Sequence, residues 1–259
     1  MRFIKMNGLG NDYIFIDKRK NKIIPKQEEI PLLCDRNFGI GGDGVVIMDR
    51  SFGCTLKMTI FNADGSRAEL CGNALRCVAR YEYDRKRIKN ESILTIETDA
   101  GVKQLKIDQS HVTADMGEPI VGSEIRYRDT EIFGMNVNVG NPHFVVFCKN
   151  THELNTLFER YAEQISNDIQ VFPQKTNVEF VAVHTDTNGA IMRVYERGSQ
   201  ETLACGTGAT AVFEAAYQAE LLKDNAILSL KGGDLTFTHD EKAHVLLRGD
   251  VQYNYTGRI

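Results

Sequence analysis

Two stretches of the chain, MTIFNADGSRAELCGNALRCVARY at residues 58–81 and MRVYERGSQETLACGTGATAVFEAAY at residues 192–217, follow one plan. Each begins with an apolar strand pattern, passes through a polar turn containing Gly-Ser and a short acidic linker, and ends with a Cys-Gly pair ahead of a helical pattern. An ordered match of this length indicates that one structural element has been duplicated. The sequence therefore predicts two structurally similar halves.

Short strand patterns alternate with turn residues along the rest of the chain. The strand patterns are YIFID, VVIMD, TLKMTIF, ILTIET, FVVF, NVEFVAV, AIMRVY and HVLLRG. Helical spacing of apolar residues is present at residues 28–34, 73–83, 152–165 and 208–222. Many strands with few helices do not give the regular alternation of a doubly wound sheet, so the pattern predicts an α/β class of the mixed, α+β type.

The bulk properties limit the classes of protein. A chain of 259 residues exceeds the usual single core, which favours two domains. The net charge of -4 and the absence of long charge runs argue against a nucleic-acid or membrane surface. No apolar run reaches the length of a membrane span or a signal segment, so we expect a cytoplasmic protein. Six cysteines without Cys-x-x-Cys spacing predict reduced thiols and no metal site.

The duplicated Cys71 and Cys205 each precede a predicted helix. A thiol at a helix start lies near unpaired backbone N–H groups and the positive end of the helix dipole, which lowers its pKa and favours the thiolate. The same N–H groups can hold a carboxylate. Two such helix starts, facing each other across a domain cleft, would remove a proton from one face of an α-carbon and return one to the other face. The pair therefore predicts two-base isomerisation.

These motifs admit other interpretations. A lone cysteine is most often a buried packing residue, and the remaining four cysteines, at positions 34, 54, 77 and 148, are interpreted in that way. A nucleophilic Cys–His pair using His143 is possible, but it leaves one of the duplicated cysteines without a role. The segment Gly39–Gly44 matches the dinucleotide pattern G-x-G-x-x-G, yet a strand pattern follows it where that site requires a helix. The sequence therefore gives no support to a nucleotide cofactor.

Four motifs together resemble the diaminopimelate epimerases, and the similarity extends over almost the whole chain. The motifs are MNGLGNDYIFID (6–17), FNADGSRAELCGNALRC (61–77), VNVGNPHFV (137–145) and ERGSQETLACGTGA (196–209). The resemblance implies an isomerase of lysine and peptidoglycan precursor synthesis that converts LL-2,6-diaminopimelate to the meso form. It implies no pyridoxal phosphate, metal or nucleotide, an amino acid as the small-molecule partner, and a homodimer.

The resemblance also implies a fold and its boundaries. We expect two pseudo-symmetric domains, each a curled, mostly antiparallel sheet around a central helix. The first domain would comprise residues 1–117 with 249–259, the second residues 118–248, and the active site would lie in the cleft between them.

Matching the family motifs residue by residue assigns roles to individual positions. Cys71 and Cys205 would be the acid/base pair, assisted by His143 and Glu196. The substrate contacts would be Asn11, Asn62, Gly72, Asn73, Asn141, Asn177, Glu196, Arg197, Gly206 and Thr207. These types suit a zwitterion, because an asparagine amide can donate to a carboxylate and accept from an ammonium group, and the arginine fork fits a carboxylate. Arg197 is expected to bind the distal carboxylate.

The residues alone leave alternatives open. Asparagines in such loops are most often turn residues, and Arg197 could pair at the surface with Glu196 or Glu201. Gly44 occupies a position where some family members have a substrate-site glutamine, so the exact substrate stays open. A racemase of another amino acid such as histidine, or a binding module without catalysis, are the alternatives.

Overall fold

The structure is a computed structural model that describes all residues, 1–259. In chain order the elements are β1 (Arg2–Gly8), β2 (Asn11–Asp17), a 3-10 turn (Gln27–Glu29), α1 (Ile30–Cys34), β3 (Gly44–Asp49), β4 (Leu56–Asn62), β5 (Arg67–Ala68), α2 (Gly72–Arg85), β6 (Ser92–Thr98), β7 (Gly101–Ile107), β8 (Val112–Asp115), β9 (Ile120–Arg126), β10 (Phe133–Asn138), β11 (Pro142–Cys148), α3 (Thr151–Asn167), β12 (Asn177–His184), β13 (Gly189–Glu196), β14 (Gln200–Glu201), α4 (Gly206–Gln218), β15 (Ala226–Leu230), β16 (Gly233–His239), β17 (Val245–Gly249) and β18 (Gln252–Arg258). The predicted mixed α/β class, dominated by strands, is confirmed.

The chain divides into two compact units. Unit 1 comprises Met1–Ala114 together with Gly249–Ile259, and unit 2 comprises Asp115–Arg248. No helix in either unit is both long enough and apolar enough to cross a lipid bilayer.

Unit 1 is built on a mostly antiparallel sheet. Strand β1 pairs with β18 on one side and with β2 on the other, and the pairs β3–β4, β4–β5, β6–β7 and β7–β8 are also antiparallel. Only β2–β3 and β4–β6 are parallel. Helix α2 packs against β1 and β2 and also against β6 and β7. Because these strands lie toward opposite ends of the sheet, the sheet curls around α2.

Unit 2 repeats this pattern of pairing. The pairs β9–β10, β10–β11, β12–β13, β13–β14 and β15–β16 are antiparallel, and β11–β12 and β13–β15 are parallel. Helix α4 packs against β9 to β12 and against β15 and β16. Strand β9 corresponds to β18, and strands β10 to β16 correspond in order to β1 to β7, with the same parallel and antiparallel pairings. This correspondence confirms the duplication.

The two central helices are buried on nearly all sides. Every residue of α2 from 73 to 83 is buried. In α4 the buried stretch 208–216 contains four alanines, so the surrounding strands can approach the helix axis closely. A side chain at the first turn of either helix is therefore held by a rigid support.

The helix bounds differ most from the sequence prediction at the end of α4. Helix α4 was expected to continue to Leu222 but ends at Gln218. Glu220 adopts a left-handed conformation with φ 59°, and the Leu221 N–H returns to the Ala216 carbonyl, which closes the helix. The motif Gly39–Gly44 leads into strand β3, as its sequence context predicted.

Candidate active site

Cys71 lies at the residue that precedes α2 and is half-buried. Its Sγ donates to Asn11 Oδ1 over 3.4 Å, and Asn73 Nδ2 donates to the same oxygen over 3.2 Å. Strand β2 begins at Asn11, so the start of a strand and the start of a helix meet at the thiol. Three of the predicted site residues of unit 1 are thus in direct contact.

Asp43, which the sequence analysis missed, fixes the orientation of Asn11. Asn11 Nδ2 donates to Asp43 Oδ2 over 2.8 Å, so the other end of the amide, Oδ1, must face Cys71. Asp43 is itself held by Arg36 Nη2 at 2.8 Å and by the Asp12 N–H at 3.0 Å. The segment Gly39–Gly44 therefore supports the thiol site through Asp43.

Tyr13 is the second residue of this site that the motif analysis did not assign. Burial raises the pKa of its phenol strongly, and the nearby Cys71 raises it further. The hydroxyl lies within hydrogen-bonding reach of both Cys71 and Asn11. A phenol that stays protonated can donate to the sulfur when it is a thiolate.

Cys205 holds the equivalent position before α4, but it is more deeply buried, with 6% of its surface exposed. Its Sγ accepts from the Gly208 N–H at 3.4 Å and lies 3.4 Å from the Thr207 hydroxyl. A side chain at Gly208 would place Cβ only 2.6 Å from Glu179 Oε1, so glycine is required there. The first turn of α4 thus presents two donors to this thiol.

Carboxylates surround Cys205. Glu196 accepts from Thr202 Oγ1 at 2.5 Å and is within hydrogen-bonding reach of the Cys205 thiol. Burial raises the pKa of Glu196. Burial also raises the pKa of Cys205 well above its ordinary value, and the charges of Glu196 and Glu179 raise it further.

The prediction that the helix start lowers the pKa of this thiol is therefore wrong for Cys205. The helix dipole lowers the pKa of a nearby thiol only weakly. Burial and the two nearby negative charges each raise this pKa more strongly. The sequence motif could not show it, because the burial arises from strands distant in the chain.

His143 and Glu179 form a buried pair next to this thiol. His143 Nδ1 lies 2.7 Å from Glu179 Oε1, and Nε2 lies 3.0 Å from Asn141 Oδ1, with both side chains fully buried. Asn141 Nδ2 in turn reaches Thr207 Oγ1 at 3.5 Å. The sequence analysis missed Glu179, although a single charged residue within the apolar strand pattern NVEFVAV indicates a buried functional group.

The remaining predicted polar residues make local contacts. Asn62 Nδ2 donates to Ser66 Oγ, and Asn177 links the Pro142 carbonyl to the Arg197 N–H. Arg197 is exposed, and its Nη1 donates to the Gln174 carbonyl over 2.9 Å. The alternative that Arg197 pairs with Glu201 is wrong, since Arg193 forms that ion pair. Contact of these residues with a substrate stays a prediction.

Both glycines that follow the cysteines lie in the first turn of a helix. Gly72 opens α2 and Gly206 opens α4, and both are half-buried. A Cβ at Gly72 would meet no atom within 4 Å, and one at Gly206 would meet only Leu247 at 3.5 Å. The space beside both glycines is therefore open at Cβ, and carboxylate binding by the N–H groups of these turns stays a prediction.

Comparison with known proteins supports the assignment made from the motifs. A family model described as "Diaminopimelate epimerase" matches residues 3–121 and 135–254. The diaminopimelate epimerase of Methanococcus maripaludis strain S2 is 40% identical over 285 residues, covering 100% of this chain and 99% of that protein. That of Agathobacter rectalis is 37% identical, again covering 100% of this chain and 99% of its own length.

Solved structures show the same fold at low sequence identity. A phenazine biosynthesis protein of the PhzF family from Bacillus anthracis matches with a TM-score of 0.73 and 16% identity, covering 100% of this chain and 98% of that one. A hydroxyproline epimerase from Agrobacterium vitis, with trans-4-hydroxy-L-proline bound, matches with a TM-score of 0.73 and 14% identity, covering 100% and 90%. These matches show the fold alone, whereas the family model and the full-length relatives establish that the chain is an isomerase that belongs to the diaminopimelate epimerase family.

Proposed function

We propose that the protein interconverts LL-2,6-diaminopimelate and meso-diaminopimelate, using Cys71 and Cys205 as an acid/base pair. The observation that supports this most directly is the pair of thiols at equivalent helix starts in two repeated units. Relatives with 36 to 40% identity over the full chain are named diaminopimelate epimerase, which favours this substrate over other amino acids.

The proposed reaction consists of two proton transfers at one α-carbon. The Cys71 thiolate takes the α-proton, so that an S–H bond forms as the C–H bond breaks and the electron pair remains on the substrate. The Cys205 thiol then gives its proton to the opposite face of that carbon. Cys71 ends as a thiol and Cys205 as a thiolate, which is the state required for the reverse direction.

Each thiol has groups that suit both of its protonation states. As a thiol, Cys71 donates to Asn11, and as a thiolate it would accept from the Tyr13 hydroxyl. Cys205 as a thiol has the Glu196 carboxylate within reach, and as a thiolate it would keep the Gly208 N–H as a donor. Either sulfur can thus act as acid or base without a rearrangement of its neighbours.

The substrate carboxylate next to the reacting carbon is proposed to lie at the helix starts. Removal of the α-proton spreads negative charge into this carboxylate, and the backbone N–H groups at Gly72, Asn73, Gly206 and Thr207 would stabilise that charge. The distal carboxylate is assigned to Arg197, and the asparagines are assigned to the remaining polar groups. A substrate without the distal zwitterion would make none of these contacts and be disfavoured.

The test is an NMR measurement of α-proton exchange in D2O with LL-diaminopimelate, L-histidine, L-lysine and L-proline under identical conditions. We expect rapid loss of the α-proton signal only for diaminopimelate. Equal exchange of histidine would overturn the substrate while leaving the two-thiol chemistry in place. No exchange of any amino acid would support the binding module without catalysis.

Two further expectations belong to this proposal. Activity should survive dialysis against a metal chelator and treatment with hydroxylamine, which removes pyridoxal phosphate. Light scattering of the purified protein tests the homodimer. A monomer with full activity would contradict the dimer expectation and leave the chemistry unaffected.

A further inference from the structure

Arg76 is a fully buried arginine in α2, five residues after Cys71. Its Nη2 donates to Asn73 Oδ1 over 2.7 Å, but Nε and Nη1 have no hydrogen-bond partner. A buried guanidinium with two unsatisfied nitrogens is costly for stability. The side chain therefore requires an explanation other than packing, and the proposed reaction does not yet use it.

The contact with Asn73 determines the orientation of two amides. Because Arg76 occupies Oδ1 of Asn73, the Nδ2 group of Asn73 points to Asn11 Oδ1. Asp43 holds the opposite end of the Asn11 amide. Asn11 Oδ1 is thereby fixed beside Cys71 Sγ from two directions.

The guanidinium of Arg76 also interacts electrostatically with Cys71. Burial lowers the pKa of the guanidinium, and interactions with Cys77, Cys71 and Asp250 act in the opposite direction. Tyr13 and Asp43 face the thiol site from β2 and the segment before β3. The negative charge of Asp43 is offset by its ion pair with Arg36.

The equivalent position in unit 2 has no charge. Thr210 lies five residues after Cys205, and its hydroxyl donates to the Gly206 carbonyl over 2.8 Å. The charged groups next to Cys205 are the carboxylates Glu196 and Glu179, and Glu179 Oε2 is buried without a partner. The buried charged group linked to Cys71 is thus a guanidinium, whereas those next to Cys205 are carboxylates, of which Glu179 is hydrogen-bonded to His143.

We propose that Arg76 is a positioning residue for Cys71, which orients the Asn73–Asn11 pair beside the thiol and favours the thiolate by its buried positive charge. This inference rests on the proposed function, in which Cys71 and Cys205 are the acid/base pair. It makes Cys71 ionise more readily than Cys205, so that Cys71 is the base in the resting enzyme. The proton it receives is replaced on the substrate by the proton of Cys205.

The experiment is alkylation of the folded protein by iodoacetamide across a pH series, with the rate at each cysteine measured by mass spectrometry. The variant Arg76→Gln keeps a donor for Asn73 but removes the charge. We expect its alkylation rate at Cys71 at pH 7 to fall about tenfold, because a rise of about one unit in the thiol pKa reduces the thiolate fraction by that factor. Cys205 in the same sample is the internal reference and should change less than twofold.

Two variants separate charge from structure. Arg76→Lys keeps the charge and should retain the Cys71 rate within about threefold of the wild type. Arg80→Gln, one turn further along α2 where Arg80 Nη1 donates to the Gln109 carbonyl, should leave the Cys71 rate unchanged. If Arg76→Gln does not fold, Arg76→Met replaces it, since an apolar side chain avoids a buried unpaired group.

If the alkylation rate at Cys71 falls less than threefold in a folded variant without the Arg76 charge, the inference is overturned. An equal fall at both cysteines also overturns it, because it would indicate general destabilisation. Alkylation requires no substrate, so the result is independent of the substrate assignment. If no amino acid undergoes exchange yet the Cys71 rate falls, the proposed function fails and the charge effect of Arg76 stands.

Discussion

Cys71 and Cys205 occupy the same place in two copies of one fold, yet the side chains around them differ in charge. The strand pairing gives the equivalences directly. Tyr13 pairs with Gly44 in unit 1 where His143 pairs with Asn177 in unit 2. Two residues further along β3 and β12, Val46 corresponds to Glu179. The equivalent strands β4 and β13 end at Asn62 and Glu196.

The comparison separates what the backbone supplies from what the side chains supply. The repeated strands and helix place a sulfur at the start of a buried helix in both units. Apolar or neutral residues of unit 1 are replaced by ionisable ones in unit 2, and Arg76 is replaced by Thr210. The proposed two-base reaction requires one thiolate and one thiol at the same pH, and we propose that this divergence gives the two sulfurs unequal tendencies to ionise.

The largest effect is expected from removal of either sulfur. Cys71→Ala and Cys205→Ala should each reduce epimerisation by at least about 10²- to 10⁴-fold, because a positioned acid or base contributes that much. The measurement is conversion of LL-diaminopimelate to the meso isomer, with circular dichroism to show that the fold is kept. Cys54→Ala is the control, since Cys54 lies in a loop before β4. Full activity in either of the first two variants would end the two-thiol mechanism.

The second prediction concerns the buried hydrogen bond between His143 and Glu179, which has no equivalent in unit 1. Glu179→Val copies the unit 1 residue but leaves His143 Nδ1 buried without a partner, and should lower the free energy of unfolding by about 1 to 3 kcal/mol. Replacing both partners, in His143→Phe with Glu179→Val, should recover much of that loss. Urea denaturation provides the measurement. A double variant no more stable than the single one would show that the pair is not the cause.

The third prediction concerns the carboxylate nearest Cys205. Glu196→Gln removes one of the negative charges that raise the pKa of Cys205, so this pKa should fall and the thiol should ionise at lower pH. Alkylation of Cys205 at pH 8 should then accelerate by roughly tenfold, while Cys71 changes little. Thr202→Val, which removes a hydrogen bond to Glu196 but keeps the charge, is the matched control. A slower reaction at Cys205 would give the opposite sign and refute the electrostatic explanation.

The smallest effect is expected at Arg197, which has no counterpart in the turn of unit 1. Arg197→Lys keeps the charge but loses the planar fork, and should raise the KM for diaminopimelate by roughly threefold to tenfold with a smaller change in kcat. Steady-state kinetics with Arg160→Lys, a surface arginine of α3, as control would measure it. An unchanged KM would move the distal carboxylate to another residue.

The sequence predicted the elements that have one apolar face or are wholly buried. All eight strand patterns and all four helices are present, because burial on one face imposes a period of two or 3.6 residues. The apolar pattern missed strand β18, QYNYTGR, because six of its seven residues are exposed, and only the family resemblance assigned this segment to the first domain. Strand β1 was missed because Lys5, buried against Asp12, interrupts its apolar pattern.

The site was predictable where residues are adjacent in a motif and not where contacts join distant segments. Cys71, Asn73, Cys205 and Thr207 follow from two local motifs. The contact between Asp43 and Asn11 depends on the path of a loop across 32 residues, which no local pattern encodes. Arg76 lies within a recognised motif, but its burial is a property of the strands that pack around α2.

The return of β18 to β1 gives the two units different histories during synthesis on the ribosome. Unit 2 is continuous in the chain, so all of its strands can pair as soon as residue 248 has emerged. The sheet of unit 1 is completed later, because β18, which pairs with β1, is synthesised after the whole of unit 2. A nascent chain at that stage has β1 as an open edge, which is a surface for pairing with other chains. Unit 1, most of which is synthesised first, is thus the unit that finishes folding last.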